Sequence, residues 1–275
     1  MRPRRLVIVA ALATLVVAPS SAGAQSSTVE PGALTVGLDM PSDGFQVGAV
    51  KGREVVAARG FEIDLARAIA GALARSGRIG AQGTLRLVQE PKFARILAPV
   101  APDWDMALAQ VTITDARTGQ ADFSVPYLTV DQGVLLSLQT AARPVSIADL
   151  RGMRLCAQGG STGADLIRNT IRPTTTALLP ASVVTLTRAL RNGRCEALVY
   201  DAPSLAYLRA QVPTRYGPFA GVLKTGERYG AVFPKGSTLR GPVNRAIAAL
   251  KKDGTIAGLQ KTWLSADLAK APVLR

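Results

Sequence analysis

The residues that could bind or transform a ligand fall into three short stretches of the chain. VTITDARTGQADFSVPYL, residues 111–128, places Arg117 shortly after an apolar, strand-like segment. GGSTG, residues 159–163, is a glycine-rich turn that carries two hydroxyl groups. A third stretch ends an apolar run with Asp201. A cation, hydroxyls and a carboxylate are the groups that proteins use to hold small charged molecules.

The glycine-rich turn also fits the G-x-S-x-G nucleophile elbow of hydrolases, with Ser161 as the nucleophile. Such a serine needs a base, usually histidine, and the chain contains no histidine. The same lack of histidine, with only two cysteines, excludes the usual zinc sites. We therefore expect no catalytic residue, no metal and no cofactor. The turn predicts either an ordinary helix N-cap or a cradle for an anion, with Ser161 and Thr162 as donors.

The composition is that of a globular protein. With 275 residues, 48% of them hydrophobic and 19% charged, the chain can form one large or two small domains. The formal charge is +14, but the basic residues are scattered and form no aromatic-interleaved patch. We therefore expect a solvated cationic surface and no nucleic-acid partner.

The first 24 residues have the pattern of a secretory signal peptide. Three arginines precede an apolar stretch at residues 6–18, and Ala22 and Ala24 form an Ala-x-Ala site. The apolar stretch is shorter than the roughly 20 residues of a membrane span, which disfavours an anchor. No lipobox cysteine stands at the cleavage site, so we expect a periplasmic or secreted protein that begins near Gln25.

Short apolar strands alternate with helical segments along the rest of the chain, which predicts α/β units with parallel sheets. The alternation starts twice, so we expect two lobes. The first series comprises strands at 34–38, 85–88, 105–110 and 133–138, and a helix from 61 to about 77. The second comprises strands at 154–158, 183–186, 196–201 and 229–233, a helix after residue 163, and a C-terminal helix that ends at Gly254.

Six stretches share the residue types and the order of one protein family: LTVGLD (34–39), GFEIDLARAIA (60–70), VTITDAR…DFSVPYL (111–128), GGSTG (159–163), GRCEALVYDAPSLAYL (193–208) and VNRAIAALKKDGTIAGLQKTWL (243–264). Together they resemble the periplasmic amino-acid-binding proteins of ABC transporters, the type II extracellular solute-binding proteins of the polar amino-acid family. The similarity covers nearly all of the chain after the signal peptide.

The resemblance implies a two-lobed α/β fold of the type II periplasmic-binding-protein (Venus flytrap) kind, in which each lobe is a mostly parallel sheet flanked by helices. Lobe 1 would comprise residues 25–131 and a return segment, 227–275, and lobe 2 would comprise residues 132–226. The hinge crossings would lie near residues 131–134 and 226–229.

The resemblance also implies a ligand site. Arg117 would hold the α-carboxylate of the ligand, and Asp201 would hold its α-ammonium group. Two alternatives stay open, namely a surface salt bridge for Arg117 and a helix N-cap for Asp201. The family pattern extends the ligand contacts to six further positions: Ala109 and Gln110 at the end of a strand, Thr112, Gln158, and the second-lobe donors Ser161 and Thr162.

The chain departs from the family pattern near the ligand site. Three positions after Asp39, where the family usually has an aromatic residue that stacks on the ligand, this sequence has Ser42. Phe93 is a candidate for the missing ring. Gln110 replaces a residue that is usually small. These departures keep the contacts to a zwitterion and leave the side chain of the ligand undefined.

We expect a non-catalytic, monomeric binding protein that captures an amino acid or a related small carboxylate, closes by hinge bending and presents the ligand to an ABC transporter permease. The alternative is an enzyme on the same scaffold, such as a cyclohexadienyl (prephenate or arogenate) dehydratase. That chemistry needs a general acid in the cleft, and Asp201 is the clear carboxylate available for it.

The two cysteines, Cys156 and Cys195, lie on the first and third predicted strands of lobe 2. Strands at these places in a doubly wound sheet are usually neighbours, and exported proteins meet an oxidising compartment. A disulfide and a pair of buried thiols both fit the sequence.

Export with cleavage of the leader is the first testable prediction. The protein recovered from the cell envelope should begin at or close to Gln25, because cleavage follows the Ala-x-Ala site. N-terminal sequencing of that fraction is the measurement. A protein that keeps residues 1–24 and needs detergent for extraction would contradict it.

Overall fold

The computed structural model describes residues 28–90, 92–98, 101–264 and 268–275. The predicted signal peptide, residues 1–24, lies outside the described residues. Within the described ranges, no helix combines the length and the apolar character that a bilayer crossing requires.

Two separate β-sheets organise the described part of the chain. A seven-stranded sheet has the spatial order β2-β3-β4-β1-β5-β11-β6, and a four-stranded sheet has the order β10-β7-β9-β8. In chain order the strands are β1 Ala33–Leu38, β2 Val47–Lys51, β3 Glu54–Arg59, β4 Thr84–Gln89, β5 Met106–Leu108, β6 Asp122–Phe123, β7 Leu128–Leu136, β8 Leu155–Cys156, β9 Ala197–Asp201, β10 Phe219–Tyr229 and β11 Val232–Phe233.

Helices flank both sheets. The described helices are α1 Phe61–Arg75, α2 Phe93–Ile96, α3 Asp115–Thr118, α4 Ile147–Leu150, α5 Thr162–Leu166, α6 Val183–Arg191, α7 Ala202–Gln211, α8 Arg240–Lys252 and α9 Thr255–Trp263. A π-helical turn, Ile167–Ile171, continues α5, and a 3-10 turn, Leu268–Lys270, precedes the C-terminus.

The predicted α/β class with two sheets is confirmed, but both sheets are mixed rather than mostly parallel. In the first sheet β1 pairs in parallel with β4 and β5, whereas β2, β3, β6 and β11 pair antiparallel with their neighbours. In the second sheet only the β8–β9 pair is parallel among the described pairs. The hairpin β2–β3 and the antiparallel pair of β7 and β10 contribute to the difference, the first because strands joined by a short turn run antiparallel.

Each sheet has its own buried apolar core, and two strands pass between the cores. Strand β7 contributes Leu128 and Val130 to the core of the first sheet and Val134 to that of the second. Strand β10 does the same with Tyr229 and Leu223. The name lobe 1 is used below for the seven-stranded sheet with its core, and lobe 2 for the four-stranded sheet with its core.

Two predicted strands are wrong. Residues 183–186 begin helix α6 instead of a strand, because Leu186, Ala189 and Leu190 form a buried helical face that outweighs the β-propensity of the valines. The predicted strand at 229–233 is divided: Tyr229 ends β10, and β11 contains only Val232–Phe233.

The C-terminal tail also corrects the expectation that residues 227–275 belong wholly to lobe 1. Leu274 is buried in the core of lobe 2. The tail hydrogen-bonds along β10, from Val222 N to Pro272 O at 2.8 Å and from Leu274 N to Val222 O at 2.9 Å. Leucine burial and these backbone bonds hold the tail on the second sheet, so that the chain returns to lobe 2 after completing lobe 1.

The two cysteines are joined in the structure. Cys156 ends β8 and Cys195 precedes the neighbouring strand β9, with their Cα atoms 5.9 Å apart in a disulfide. The bridge closes a loop with a sequence separation of 39 residues.

Loss of this bridge should destabilise the protein. Reduction should lower the free energy of unfolding by about 3–4 kcal/mol, because the unfolded chain regains the entropy of an open loop. The measurement is denaturant unfolding with and without reductant, with a Cys156→Ala/Cys195→Ala variant as the control that should not respond to reductant. Two free thiols in denatured, unreduced protein would contradict the bridge.

Candidate functional site

A pocket between the two lobes contains the predicted site residues. All eight predicted ligand contacts line it, together with two aromatic side chains. The lining residues are Phe93, Ala109, Gln110, Thr112, Arg117, Gln158, Ser161, Thr162, Tyr200 and Asp201. The structure thus brings together residues that are up to 108 positions apart, and their role as ligand contacts stays a prediction.

Helix α3 positions Arg117. The Oγ1 atom of Thr114, the N-cap of α3, accepts from Arg117 N at 3.3 Å. The guanidinium group is buried; its Nη1 donates to Thr112 O at 2.9 Å and its Nη2 donates to Gly160 O at 3.1 Å. It also lies over the ring of Phe93, 5.4 Å from the centroid. Phe93 therefore supports Arg117 from within the same pocket.

Arg117 has no ion pair with a described carboxylate, so the salt-bridge alternative for this residue is not realised. Burial lowers the pKa of Arg117 from its ordinary value, and the nearby carboxylates of Glu227 and Asp201 raise it. Arginine remains protonated in proteins in spite of such shifts. The guanidinium keeps further N–H groups for a ligand, because two carbonyls use only part of its five donors.

The wall from lobe 1 depends on a buried glutamate of α1, Glu62. Its carboxylate accepts from Gln110 N at 2.8 Å and from the side chains of Gln46, Gln110 and Tyr127. Burial raises the pKa of Glu62, and these hydrogen bonds lower it. The side-chain oxygen of Gln110 accepts from Ser42. The side chain of Gln110 is thus used inside lobe 1, and Gln110 faces a ligand mainly with its backbone.

Gln110 also has an unusual backbone conformation, with a φ of 49°. Residues other than glycine rarely adopt this left-handed region, and such conformations cluster at functional sites. The backbone turns here because β5 ends at Leu108 and the chain must present Thr112 towards the pocket.

The wall from lobe 2 is the turn before α5. Ser161 is the N-cap of α5: its Oγ accepts from Ala164 N at 3.1 Å and donates to Gln158 O at 2.8 Å. The side chain of Gln158 donates to Ala181 O at 3.0 Å and towards Asp39 of lobe 1 at 3.4 Å. The N-cap alternative for the turn is therefore realised at Ser161, within the wall of the pocket.

Asp201 lies at the end of β9, where it is 8% exposed. It occupies the N-cap position of α7, yet its side chain makes no capping hydrogen bond. Its Oδ1 accepts from Gln132 Nε2 at 2.7 Å. Burial, and then the charge of Glu227, raise its pKa from 3.8 to about 7, although Tyr229, Gln132 and Arg117 act in the opposite direction. The carboxylate is thus available to a ligand and lacks a full counter-charge.

A second carboxylate near the pocket is Asp39, which follows β1. Its pKa is raised from 3.8 to about 6, mainly by burial; the hydrogen bond from Gln158 lowers it and the charge of Glu90 raises it. Because Gln158 lines the pocket from lobe 2, Asp39 lies at the junction of the two lobes.

Two side chains of this region are not among the predicted ligand contacts. Tyr200 lines the pocket and its hydroxyl interacts with that of Ser42, so a ring from lobe 2 lies next to the position where the family has an aromatic residue in lobe 1. Glu227, on the crossing strand β10, accepts from Thr112 Oγ1 at 2.5 Å and from Thr162 Oγ1 at 2.6 Å. The acidic residue within the predicted hinge segment 226–229 was the available signal for Glu227.

No metal-binding arrangement accompanies these carboxylates. Among the described residues, no group of three or more cysteine, aspartate or glutamate side chains is placed to hold a metal ion.

Comparison with known proteins identifies the family. Residues 34–266 match the bacterial extracellular solute-binding proteins, family 3, and this match covers most of the chain. The chain belongs to this family. It is therefore a binding protein rather than an enzyme, and the resemblance found in the motifs is confirmed.

Individual relatives are distant but cover most of the chain. The protein is 28% identical over 213 residues to the ABC transporter glutamine-binding protein GlnH of Bacillus subtilis (strain 168), covering 77% of this chain and 74% of GlnH. It is 27% identical over 255 residues to the L-cystine-binding protein TcyJ of Escherichia coli (strain K12), covering 90% of this chain and 88% of TcyJ.

Solved structures agree with the family. An ancestral arginine-binding protein bound to arginine has a TM-score of 0.70 and 27% identity, over 84% of this chain and 98% of that one. An ancestral amino acid-binding protein, described as a precursor of cyclohexadienyl dehydratase, has a TM-score of 0.70 and 27% identity over 85% and 95%. The structure related to the dehydratase is itself a binding protein, so it does not favour the enzymatic alternative.

The raised pKa of Asp201 predicts how stability depends on pH. The unfolded carboxyl releases its proton near pH 3.8, whereas the folded one keeps it until about pH 7. Folding takes up a proton between these values, so the free energy of unfolding should decrease as the pH rises from about 4 to about 7. An Asp201→Asn variant, which carries no titrating group there, should show a smaller decrease.

Denaturant unfolding of ligand-free protein at about pH 5 and about pH 8 is the measurement. Asp115→Asn, at an exposed position on α3, is the matched control and should keep the pH dependence of the parent. An Asp201→Asn variant with the same pH dependence as the parent would show that Asp201 is not the titrating group.

Proposed function

We propose that this protein binds an amino acid between its lobes and delivers it to the permease of an ABC transporter. The observation that carries the proposal is a buried guanidinium without a carboxylate partner, Arg117, in the same pocket as a buried carboxylate, Asp201. These are the two counter-charges that a zwitterion needs. The names of the relatives, glutamine-, cystine- and arginine-binding proteins, support the same ligand class.

The proposed contacts follow from the charges. The free N–H groups of Arg117 bind the α-carboxylate of the ligand, because a guanidinium can form two parallel hydrogen bonds with it. Asp201 accepts from the α-ammonium group. The backbone of Ala109 and Gln110, the hydroxyls of Thr112, Ser161 and Thr162, and the side chain of Gln158 complete the contacts.

Ligand capture requires the lobes to move, and the proposed hinge is the pair of crossing strands. The boundaries at residues 131/132 and 226/227 lie where β7 and β10 pass between the two cores. At this point Asp131 accepts from Lys224 Nζ at 2.8 Å and from the backbone N atoms of Thr225 and Gly226 at 3.1 Å. These bonds organise the register shift of β10, so that rotation there changes the angle between the lobes.

The cellular location of the protein is proposed from its sequence and its family. The family is extracellular, and the pattern of residues 1–24 fits a cleaved signal peptide. We place the mature protein in the periplasm or among secreted proteins, where it acts as a monomer on a membrane permease.

The charges of the pocket favour a ligand with a cationic side chain. A zwitterion occupies Arg117 and Asp201, which leaves the buried carboxylate of Glu227 and the partly buried one of Asp39 without a cation. A second positive charge on the ligand would compensate these carboxylates, whereas an anionic side chain would be repelled. We therefore propose that arginine, lysine or ornithine binds more tightly than glutamine, and glutamine more tightly than glutamate.

A thermal-shift screen against the twenty protein amino acids, ornithine and cystine tests the function. A ligand present at 100 times its Kd should stabilise the protein by about 2.7 kcal/mol. The largest shift should come from a cationic amino acid and the smallest from aspartate or glutamate. If glutamine or cystine gives the largest shift, the cationic preference is wrong; if no amino acid shifts the transition, the proposed function is wrong.

Substitutions at the two counter-charges test the site itself. Arg117→Ala and Asp201→Ala should each weaken binding by about 2–5 kcal/mol, which is roughly 30-fold to several-thousand-fold, because each leaves a ligand charge unpaired. Arg117→Lys should also bind weakly, because an ammonium group cannot make the two-pronged contact. Calorimetric titration is the measurement, and Arg168→Ala, at an exposed arginine of lobe 2, is the control. An Arg117→Ala variant with parental affinity would refute the assignment.

A further inference from the structure

Glu227 connects the two lobes through one carboxylate oxygen. Its Oε2 accepts from Thr112 Oγ1, which belongs to lobe 1, and from Thr162 Oγ1, which begins α5 of lobe 2. Glu227 itself lies on the crossing strand β10 and is 8% exposed. Both threonines line the ligand pocket, whereas Glu227 lies behind them.

This arrangement determines which hydrogen bonds the two threonines can form with a ligand. A hydroxyl group has one proton to donate and two lone pairs that accept. Thr112 and Thr162 both direct their single proton to Glu227. Towards the pocket they can therefore offer only lone pairs, which makes them acceptors for a ligand N–H group rather than donors to its carboxylate.

Several other polar side chains of the pocket donate hydrogen bonds to the protein as well. Ser161 donates to Gln158 O, and Gln158 donates to Ala181 O and towards Asp39. The amide of Gln110 donates to a buried carboxylate of lobe 1. Arg117 is the cationic donor among the side chains that line the pocket, whereas Thr112, Thr162 and Asp201 offer acceptors.

We propose that Glu227 is a positioning residue that holds Thr112 and Thr162 as acceptors, and that the pocket thereby selects ligands with an α-ammonium group over their deaminated counterparts. The inference rests on the proposed function, because it concerns an amino-acid ligand. A 2-oxo acid has no N–H group to donate at this position, so it leaves the acceptors of both threonines and of Asp201 without a partner.

The position of Glu227 also links this selection to closure. Because Thr112 and Thr162 belong to different lobes, one carboxylate oxygen can hold both of them only while the lobes are in the arrangement described here. The acceptors for the ammonium group are thus complete in the closed protein and incomplete when the lobes separate.

The test compares an amino acid with its 2-oxo counterpart in two protein backgrounds. The probes are L-arginine with 5-guanidino-2-oxopentanoate, and L-glutamine with 2-oxoglutaramate, titrated by calorimetry. The parent should bind the 2-oxo acid about 10- to 100-fold more weakly than the amino acid, as expected for hydrogen bonds to a charged group. Glu227→Gln should reduce that ratio several-fold, because an amide can donate to a threonine and free its proton, while Asp201 keeps its own part of the selection.

A Thr112→Val/Thr162→Val background separates positioning from a simple effect of charge. If Glu227 acts through the threonines, Glu227→Gln should change the ratio little in this background; an equal change in both backgrounds would overturn the inference. Glu54→Gln, at an exposed position of β3, is the matched control and should leave the ratio unchanged.

The possible failures remain distinguishable. If the parent binds neither amino acid nor any other in the screen, the proposed function fails. If the parent binds amino acids and Glu227→Gln keeps the full ratio, only the role of Glu227 fails. Should Glu227→Gln not fold, the Thr112→Val/Thr162→Val variant alone decides: a reduced ratio supports the inference, and the full parental ratio overturns it.

Discussion

A guanidinium group that is taken out of water must donate its hydrogen bonds to protein acceptors, and for Arg117 these acceptors come from both lobes. One carbonyl comes from Thr112, next to the end of β5, and the other comes from Gly160, in the turn before α5. Leaving a charge buried without partners costs several kcal/mol, so these contacts favour the arrangement in which the lobes are close together. The two carbonyls accept some of the N–H groups of Arg117 but do not compensate its positive charge. A carboxylate ligand would accept the remaining N–H groups and supply the counter-charge.

The carboxylates around the pocket carry the charge opposite to that of Arg117. Asp39 and Asp201 have raised pKa values because burial removes water without supplying a cation. Such groups are poorly suited to stabilising a protein by themselves, since each would be more stable in water. Their retention in a cleft is better explained by binding than by folding.

Local sequence patterns were sufficient to predict much of the fold. Strand β1 and helix α1 are predictable because a continuous apolar run and a four-residue apolar spacing each have one strong structural solution. That Arg117 and Asp201 would line one pocket could be predicted because both lie in motifs with a characteristic order. Residues 183–186 were misassigned, since a short run rich in valine fits a strand and a helix equally well until its packing partners are known. The contacts of Glu227 join positions more than sixty residues apart, and no local pattern encodes them.

The return of the C-terminal tail to lobe 2 has a practical consequence. At the start of the described chain, Val29 N donates to Asp105 Oδ1 at 2.6 Å, which attaches that end to lobe 1. At the other end, Ile147 N donates to Arg275 O at 3.0 Å, which attaches the last residue to lobe 2. The two ends are therefore attached to different lobes, which the proposed hinge would move relative to each other. Fluorophores attached at the two ends would convert opening and closing into a change in energy transfer. The labelled protein would then serve as an optical reporter of its own ligand.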